Sequence, residues 1–193
     1  MKICLDVEGV LADSHVPLVQ SYNSSHNTNF SVSDITAWGA QAKLGLSEKE
    51  LLDQLAEIWE KRWKEIPTTE KGLPEKVKAL TDQYKVAIVT TRKVNASEIM
   101  KWLDYQGIGY HEFMTLEDNK SYTAKSDLNF DVWIDDNPHL APKIASRKRK
   151  LLLYDRPYNK NVAENEYVAR VKSFYQIINS PKIKDFLKPT LRL

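Results

Sequence analysis

This sequence has only one cysteine, no long apolar segment and no large excess of charge of one sign. The single cysteine, Cys4, lies in the apolar stretch Ile3 to Leu5. One cysteine excludes an intrachain disulfide framework and predicts a buried thiol in a reducing, cytoplasmic setting. The chain opens without a cationic lead and a long apolar segment, and no stretch reaches membrane length. We therefore expect neither a secretory signal nor a membrane partner.

The charges of the chain are nearly balanced. It has 28 basic and 26 acidic residues among 193, a formal net charge of +2. This excludes the strongly basic balance of a dedicated nucleic-acid binder, so no nucleic-acid polymer is expected as a partner. The basic run Arg147 to Lys150 is interpreted as a solvated surface turn. The length fits one domain with a modest insertion, and homo-oligomerisation stays open.

Short apolar runs, typical of buried strands, alternate with longer stretches of helical patterning. That alternation predicts an α/β fold in which a parallel sheet is flanked by helices. The runs are Lys2 to Leu5, Val86 to Val89, Val132 to Ile134 and Leu151 to Tyr154.

Helix signals lie between these runs. Pro74 predicts the start of one helix. Asn95 with Glu98 resembles a capping box that opens another helix, and Gly107 predicts its end. A last amphipathic helix is predicted over residues 162–178.

Residues 14–72 break the alternation and predict a helical insertion. Ser47 and Glu50 resemble a capping box before an apolar stripe of helical period, which is usually a packed face. Its members are Leu51, Leu55, Ile58, Trp59 and Trp63. Packing therefore accounts for both tryptophans of the stripe. Trp38, in a loop-like stretch, is less well explained by packing and could face a ligand.

The first group of chemically capable residues follows the first predicted strand. Asp6 and Glu8 come directly after it, at the carboxyl end where open α/β sheets bind ligands. A carboxylate can attack phosphorus and form an aspartyl-phosphate while a second acid protonates the leaving oxygen. Gly9 suits a sharp turn after them. An acidic surface turn is an equally good interpretation of this segment alone.

Two more groups follow later strands. Thr90, Thr91 and Arg92 end the second run, and such side chains can hold phosphate oxygens, although threonine and arginine are also common there without a ligand. Asp135 and Asp136 end the third. Adjacent acids repel unless a cation neutralises them, and Mg²⁺ prefers oxygen ligands of this kind.

A lysine before the third run completes the pattern. Lys125 stands ten residues before Asp135, where a loop could return its ammonium toward a bound phosphate. Lys120 competes for the same role, and a solvated lysine is the default for either.

Taken together and in this order, Asp6 to Asp13, the Thr90 segment, Lys125 and the Asp135 pair resemble the four motifs of the haloacid dehalogenase superfamily. The 5′(3′)-deoxyribonucleotidase group is the most similar part of it, because Asp155 to Asn159 also resembles a stretch that follows the last core strand there. The resemblance covers nearly the whole chain. It implies a Rossmann-like core over residues 1–13 and 73–193 with a small helical cap over residues 14–72.

The resemblance also implies roles for these residues. Asp6 would be the nucleophile and a metal ligand in Mg²⁺-dependent hydrolysis of a small phosphate monoester, plausibly a nucleotide, through an aspartyl-phosphate. Thr90 and Lys125 would hold the phosphate, with Thr91 and Arg92 beside them. The Asp135–Asp136 pair would complete the metal site, with Asp136 favoured as the direct ligand. In the cap, Trp38 is the candidate for base or sugar contact.

Glu8 departs from the pattern, since the second acid of the first motif is normally aspartate. Its backbone carbonyl can still ligate Mg²⁺, but its carboxyl lies one methylene farther out as acid and base. A misplacement of this kind can lower a rate by on the order of a hundredfold. Two alternatives therefore accompany the nucleotidase hypothesis: a phosphatase of sugar phosphates or other small metabolites, and a catalytically silent member that binds a phosphorylated ligand or a partner protein.

Overall fold

Six parallel strands form one sheet in the computed structural model, which describes residues 1–92, 94–116 and 121–188. Their order across the sheet is β3-β2-β1-β4-β5-β6. The strands are β1 (Lys2–Leu5), β2 (Lys85–Thr90), β3 (Glu112–Thr115), β4 (Val132–Asp135), β5 (Lys150–Tyr154) and β6 (Val168–Val171). The chain builds outward from β1 on one side and then crosses to β4 on the other, so the order reverses between them. The predicted α/β fold with a Rossmann-like parallel sheet is confirmed.

Burial explains why the central strands form where the apolar runs predict them. Ile3 and Leu5 are fully buried in β1, and Val86, Ile88 and Val89 are fully buried in β2. Strands covered by helices on both faces are apolar at successive positions, because neither face meets water. The predicted runs all lie within observed strands.

Eight α-helices connect and cover the strands in the described part of the chain. They are α1 (His15–His26), α2 (Gln41–Leu44), α3 (Glu48–Arg62), α4 (Leu73–Thr81), α5 (Ala96–Gln106), α6 (Leu140–Ser146), α7 (Phe174–Asn179) and α8 (Pro181–Leu187). None of the helices within residues 1–92, 94–116 and 121–188 is long and apolar enough to cross a lipid bilayer.

Two local predictions are wrong. The helix predicted over residues 162–178 is replaced by β6, which pairs with β5, and a helix begins only at Phe174, where Ser173 accepts a hydrogen bond from the Gln176 amide at 3.2 Å. The capping box at Asn95 does not form, since the Asn95 side-chain oxygen accepts no helix amide, while its side-chain NH₂ donates to the Ala56 carbonyl at 3.2 Å. That bond links α5 to the inserted helix α3.

The other helix boundaries follow the sequence signals. Pro74 stands in the first turn of α4, and Gly107 ends α5 in the left-handed region with φ of 71°. The Ser47 capping box forms, with the hydroxyl accepting from the Glu50 amide at 3.2 Å and the Glu50 carboxylate accepting from the Ser47 amide at 2.8 Å.

The helices between β1 and β2 pack onto α5 through two tryptophans. Trp59 of α3 is fully buried and meets Trp102 of α5 edge to face, with ring centroids 6.0 Å apart. Trp102 also donates its indole N–H to the Ile66 carbonyl at 2.9 Å. Trp63 is only half-buried and packs on Tyr105 at 5.7 Å. The buried pair of indoles therefore joins the insertion to the sheet's covering layer.

Replacing Trp102 with alanine should lower the free energy of unfolding by about 3–5 kcal/mol, because it removes a fully buried indole and leaves the Ile66 carbonyl unpaired. Urea denaturation measures the loss. Tyr105→Ala on the same helix is the control, since Tyr105 is 61% exposed, and its loss should stay below about 1 kcal/mol. Equal losses in the two variants would contradict this packing role.

Candidate active site

A cavity of about 830 Å³ lies at the carboxyl edge of β1, β2 and β4 and is closed on one side by α3. All of the site residues predicted from the sequence line it: Asp6, Glu8, Trp38, Thr90, Thr91, Arg92, Lys125, Asp135 and Asp136. They converge because parallel strands end at one edge and the order reverses between β1 and β4, which opens a crevice there. Lys120, the competitor of Lys125, lies outside the described residues.

Lys125 lies between two of the acids. Its ammonium donates to Asp6 Oδ1 and, at 3.1 Å, to Asp135 Oδ2. Its backbone carbonyl accepts the indole N–H of Trp133 at 3.0 Å, which fixes this segment against β4. Burial opposes the charge of this nearly inaccessible lysine, yet the carboxylates of Asp135 and Asp6 raise the pKa of Lys125 above its ordinary value. The lysine therefore stays charged and offsets part of the repulsion between the acids.

Three carboxylates form a candidate metal centre. Asp6, Asp135 and Asp136 each place an oxygen within 4.8 Å of the others, and all are buried. Burial first, and repulsion from Asp135 second, raise the pKa of Asp6 well above its ordinary value and that of Asp136 to about 7. A set of hard oxygen donors whose charges repel one another suits a divalent cation such as Mg²⁺.

The Glu8 carboxylate lies apart from that cluster, in a cage of donors. It accepts hydrogen bonds from Ser14 Oγ at 3.0 Å and from the Trp59 indole at 3.1 Å, and it forms an ion pair with Arg92. Burial alone would raise the pKa of Glu8, but Arg92 and the hydrogen bonds from Trp59 and Ser14 lower it below its ordinary value. The carboxylate is thus held as an anion, and Arg92 is engaged by it.

The two threonines occupy different positions at the end of β2. Thr90 is buried, and its hydroxyl oxygen accepts the Arg92 amide at 3.0 Å, so its own hydrogen can be donated elsewhere. Thr91 follows the strand and is half-buried at the cavity wall. Both threonines therefore line the cavity that also contains the acids after β1 and at the end of β4.

Comparison with known families agrees with this arrangement. Residues 1–184 match the family described as 5′ nucleotidase, deoxy (pyrimidine), cytosolic type C protein. The chain belongs to this family. The predictions of a haloacid dehalogenase-like nucleotidase and of a phosphatase-type enzyme are confirmed at the level of the family.

Individual relatives of this nucleotidase-family chain are distant. A nucleotidase of Clostridium acetobutylicum is 25% identical over 165 residues, 83% of each chain. A protein of Oceanobacillus iheyensis, provisionally named a nucleotidase, is 26% identical over 132 residues, 64% of this chain and 65% of that protein, so the match spans just under two thirds of its length. A haloacid dehalogenase-like hydrolase of Streptococcus pneumoniae has a TM-score of 0.65 at 12% identity, covering 92% of this chain and 96% of that one. The last likeness shows the shared fold.

Sequence reasoning missed several residues of the site, and Tyr158 is the main one. Its hydroxyl donates to Asp136 Oδ2 across 22 positions of sequence. Gly9 makes this approach possible: with φ of 77°, it presents only hydrogen where a Cβ would overlap Asp136 Oδ2 and lie 2.8 Å from the Tyr158 oxygen. The resemblance of residues 155–159 to the family was the only signal, and it carried no chemical role.

Trp38 reaches the cavity from the insertion. Its ring meets Tyr158 edge to face at 5.6 Å and His139 at 6.1 Å. The Trp38 indole therefore lines the cavity next to Tyr158, the residue that contacts Asp136.

Replacing Gly9 with alanine should destabilise the fold by about 1–3 kcal/mol more than Gly45→Ala, as expected when an added methyl group overpacks a filled site. Gly45 is the matched control, since its φ is 65° and nothing lies within 4 Å of an added Cβ. The difference in urea denaturation between the variants therefore isolates the contact with Asp136 and Tyr158 from backbone strain. Equal destabilisation would contradict the close approach described here.

Proposed function

We propose that the chain hydrolyses phosphate monoesters of nucleotides with Mg²⁺, using Asp6 as the nucleophile. The observation that carries the proposal is the convergence of Asp6, Asp135, Asp136 and Lys125 at one sheet edge. In this assignment one cation and one ammonium offset the charge of the acids and of an incoming phosphate. Mg²⁺ would be held by Asp6, Asp135 and Asp136 and would neutralise charge on the phosphate oxygens.

The chain's own residues divide the chemical steps. The Asp6 carboxylate attacks phosphorus, the bond to the leaving oxygen breaks, that oxygen takes up a proton from solvent water, and the phosphoryl group becomes an aspartyl-phosphate. Lys125 and the Thr90 hydroxyl are assigned to the phosphate oxygens, where charge-assisted hydrogen bonds hold them in line. Water then cleaves the aspartyl-phosphate and restores Asp6.

Glu8 is assigned to proton transfer, mainly as a proton acceptor. Its carboxylate is an anion held by Arg92 and Trp59, and an anion accepts a proton from water more readily than it supplies one to a leaving alkoxide. We infer that Glu8 acts mainly as the base in the second step. The backbone carbonyl of Glu8 remains the proposed additional Mg²⁺ ligand.

The insertion, residues 14–72, is proposed as the cap that selects the leaving group over a core of residues 1–13 and 73–193. Leu51, Leu55 and Ala56 of α3 supply an apolar wall to the cavity, and Trp38 supplies an aromatic ring. A flat ring and apolar side chains suit a nucleobase through stacking. Trp38 is therefore assigned to base or sugar contact.

Asp6→Asn should lower turnover by on the order of 10⁴ or more, since it removes the group that carries the covalent step. Hydrolysis is measured across nucleoside monophosphates, sugar phosphates and an aryl phosphate, with and without Mg²⁺. Mass spectrometry of the quenched wild-type enzyme should detect a hydroxylamine-sensitive phosphoryl group on Asp6. Asp53→Asn is the control, because Asp53 also lines the cavity but pairs with Lys49 at 2.5 Å.

Three results would count against parts of this proposal. Full activity of Asp6→Asn would remove the nucleophile assignment. A preference for sugar phosphates in the panel would replace the nucleotide assignment. Phosphate binding without turnover in both the wild type and Glu8→Asp would favour the catalytically silent alternative.

Trp38→Ala should raise KM for nucleoside monophosphates by about 5- to 100-fold, the range expected when one base-stacking contact is lost. KM for a short alkyl phosphate, which offers no ring, should change little. Trp63→Ala is the control, because Trp63 packs on Tyr105 away from the cavity. An equal rise in KM for both kinds of substrate would show that Trp38 shapes the cavity and does not contact the base.

A further inference from the structure

A short turn after β5 contacts two of the segments that form the candidate active site. Residues Pro157–Asn159 form a single 3₁₀ turn, with Arg156 directly before it. This turn, Arg156 to Asn159, is called the bracing turn below. It approaches the loop after β1 on one side and the end of β4 on the other.

Two residues of the bracing turn hold Asp136. The Tyr158 hydroxyl donates to Asp136 Oδ2, and the Asn159 side-chain amide donates to the Asp136 backbone carbonyl at 2.8 Å. The same Asn159 amide also donates to the Tyr154 carbonyl at 2.8 Å, at the end of β5. Side chain and backbone of Asp136 are therefore both fixed from one turn.

Arg156 holds the loop that follows the nucleophile. Its Nε donates to the Gly9 carbonyl at 2.6 Å, and its Nη1 donates to Asp13 Oδ2 at 3.1 Å. The Gly9 carbonyl and Asp136 belong to segments more than a hundred residues apart in the chain. The bracing turn therefore connects the nucleophile loop directly to the neighbouring acids.

The bracing turn is itself rigidly supported. Asn159 is fully buried, and its side-chain oxygen accepts the Arg156 amide at 3.1 Å and Arg170 Nη1 at 2.8 Å. Arg170 stands on β6 and also pairs with Asp155 at 2.8 Å. The turn is thus anchored to the sheet independently of the acids that it holds.

We propose that Tyr158 is a positioning residue that fixes the Asp136 carboxylate for a divalent cation. This inference rests on the proposed function, in which Asp136 is a ligand of Mg²⁺. A neutral hydroxyl orients the carboxylate without cancelling its charge, whereas a lysine or arginine in its place would compete with the cation. Hydrogen-bonded partners of metal ligands typically contribute 10- to 100-fold to metal affinity or activity.

Tyr158→Phe should therefore bind Mg²⁺ about 10- to 100-fold more weakly than the wild type. Binding is measured by titration calorimetry without substrate, and the increase in Tm with Mg²⁺ concentration gives an independent value. In hydrolysis, the Mg²⁺ concentration for half-maximal rate should rise while kcat is largely recovered at saturating Mg²⁺. Removing only the hydroxyl keeps the ring contacts of Tyr158 with Trp38 and His15.

Tyr154→Phe is the matched control. It removes a hydroxyl from another buried tyrosine nearby, whose oxygen lies 3.4 Å from Glu70 and 3.5 Å from Thr69. Its Mg²⁺ affinity should stay within about twofold of the wild type, since no metal ligand loses a partner. Circular dichroism and Tm without Mg²⁺ establish that both variants are folded.

The outcomes separate the positioning role of Tyr158 from the proposed function. Wild-type affinity in Tyr158→Phe, equal losses in both variants, or an unfolded Tyr158→Phe chain would overturn the positioning role. A wild type without measurable Mg²⁺ binding would overturn it as well. A wild type that binds Mg²⁺ more tightly than Tyr158→Phe but hydrolyses no phosphate ester would contradict the proposed function and leave this inference standing.

Discussion

Burial of three carboxylates at one sheet edge is the constraint on which the rest of the site depends. Asp6, Asp135 and Asp136 are close enough to share one ion, and buried like charges are unfavourable unless they are paired or hydrogen-bonded. The surrounding structure supplies those partners. The ammonium of Lys125 contacts two of the acids, the Asn137 amide donates to Asp135 Oδ1 at 3.0 Å, and a phenol contacts the third. A divalent cation would complete the neutralisation, so the same feature that opposes folding favours metal binding.

The geometry of this edge follows from topology and one glycine. Because β1 lies between β2 and β4, the connections after β1 and after β4 run to opposite sides of the sheet, and three strand ends remain open to one crevice. Gly9 then lets the loop after β1 pass against Asp136, where any side chain would overlap the carboxylate. Arg156 holds that loop by the Gly9 carbonyl. The loop after β1 and the Asp136 carboxylate are therefore held against each other at this close contact.

Most of the site was predictable because its residues follow buried strands. Asp6, Thr90 and Asp135 stand at strand ends, and parallel strands bring their ends to one edge whatever the loops do. The edge strands β3 and β6 were missed because polar residues such as Glu112 and Arg170 interrupt their apolar runs. Tyr158 was missed for a different reason. Its contact with Asp136 joins residues 22 positions apart, and neither a tyrosine nor its spacing distinguishes a phenol that bonds to a buried carboxylate from one that only packs.

Glu8 shows how a departure from the family pattern is accommodated. An aspartate would end about 1.5 Å nearer the backbone, one C–C bond shorter, and would withdraw from a set of donors that the glutamate reaches. Those donors come from different parts of the chain: Trp59 from α3, Arg92 from the end of β2 and Ser14 from the start of α1. The longer side chain therefore joins the inserted helices to the sheet edge through an ion pair and hydrogen bonds.

A movement of α3 away from the cavity must leave Glu8 with fewer donors, because Trp59 moves with that helix. Such a movement is unfavourable, since buried charges that lose their partners are strongly destabilising. In the proposed mechanism, proton transfer by Glu8 is consequently coupled to the position of α3 through one carboxylate.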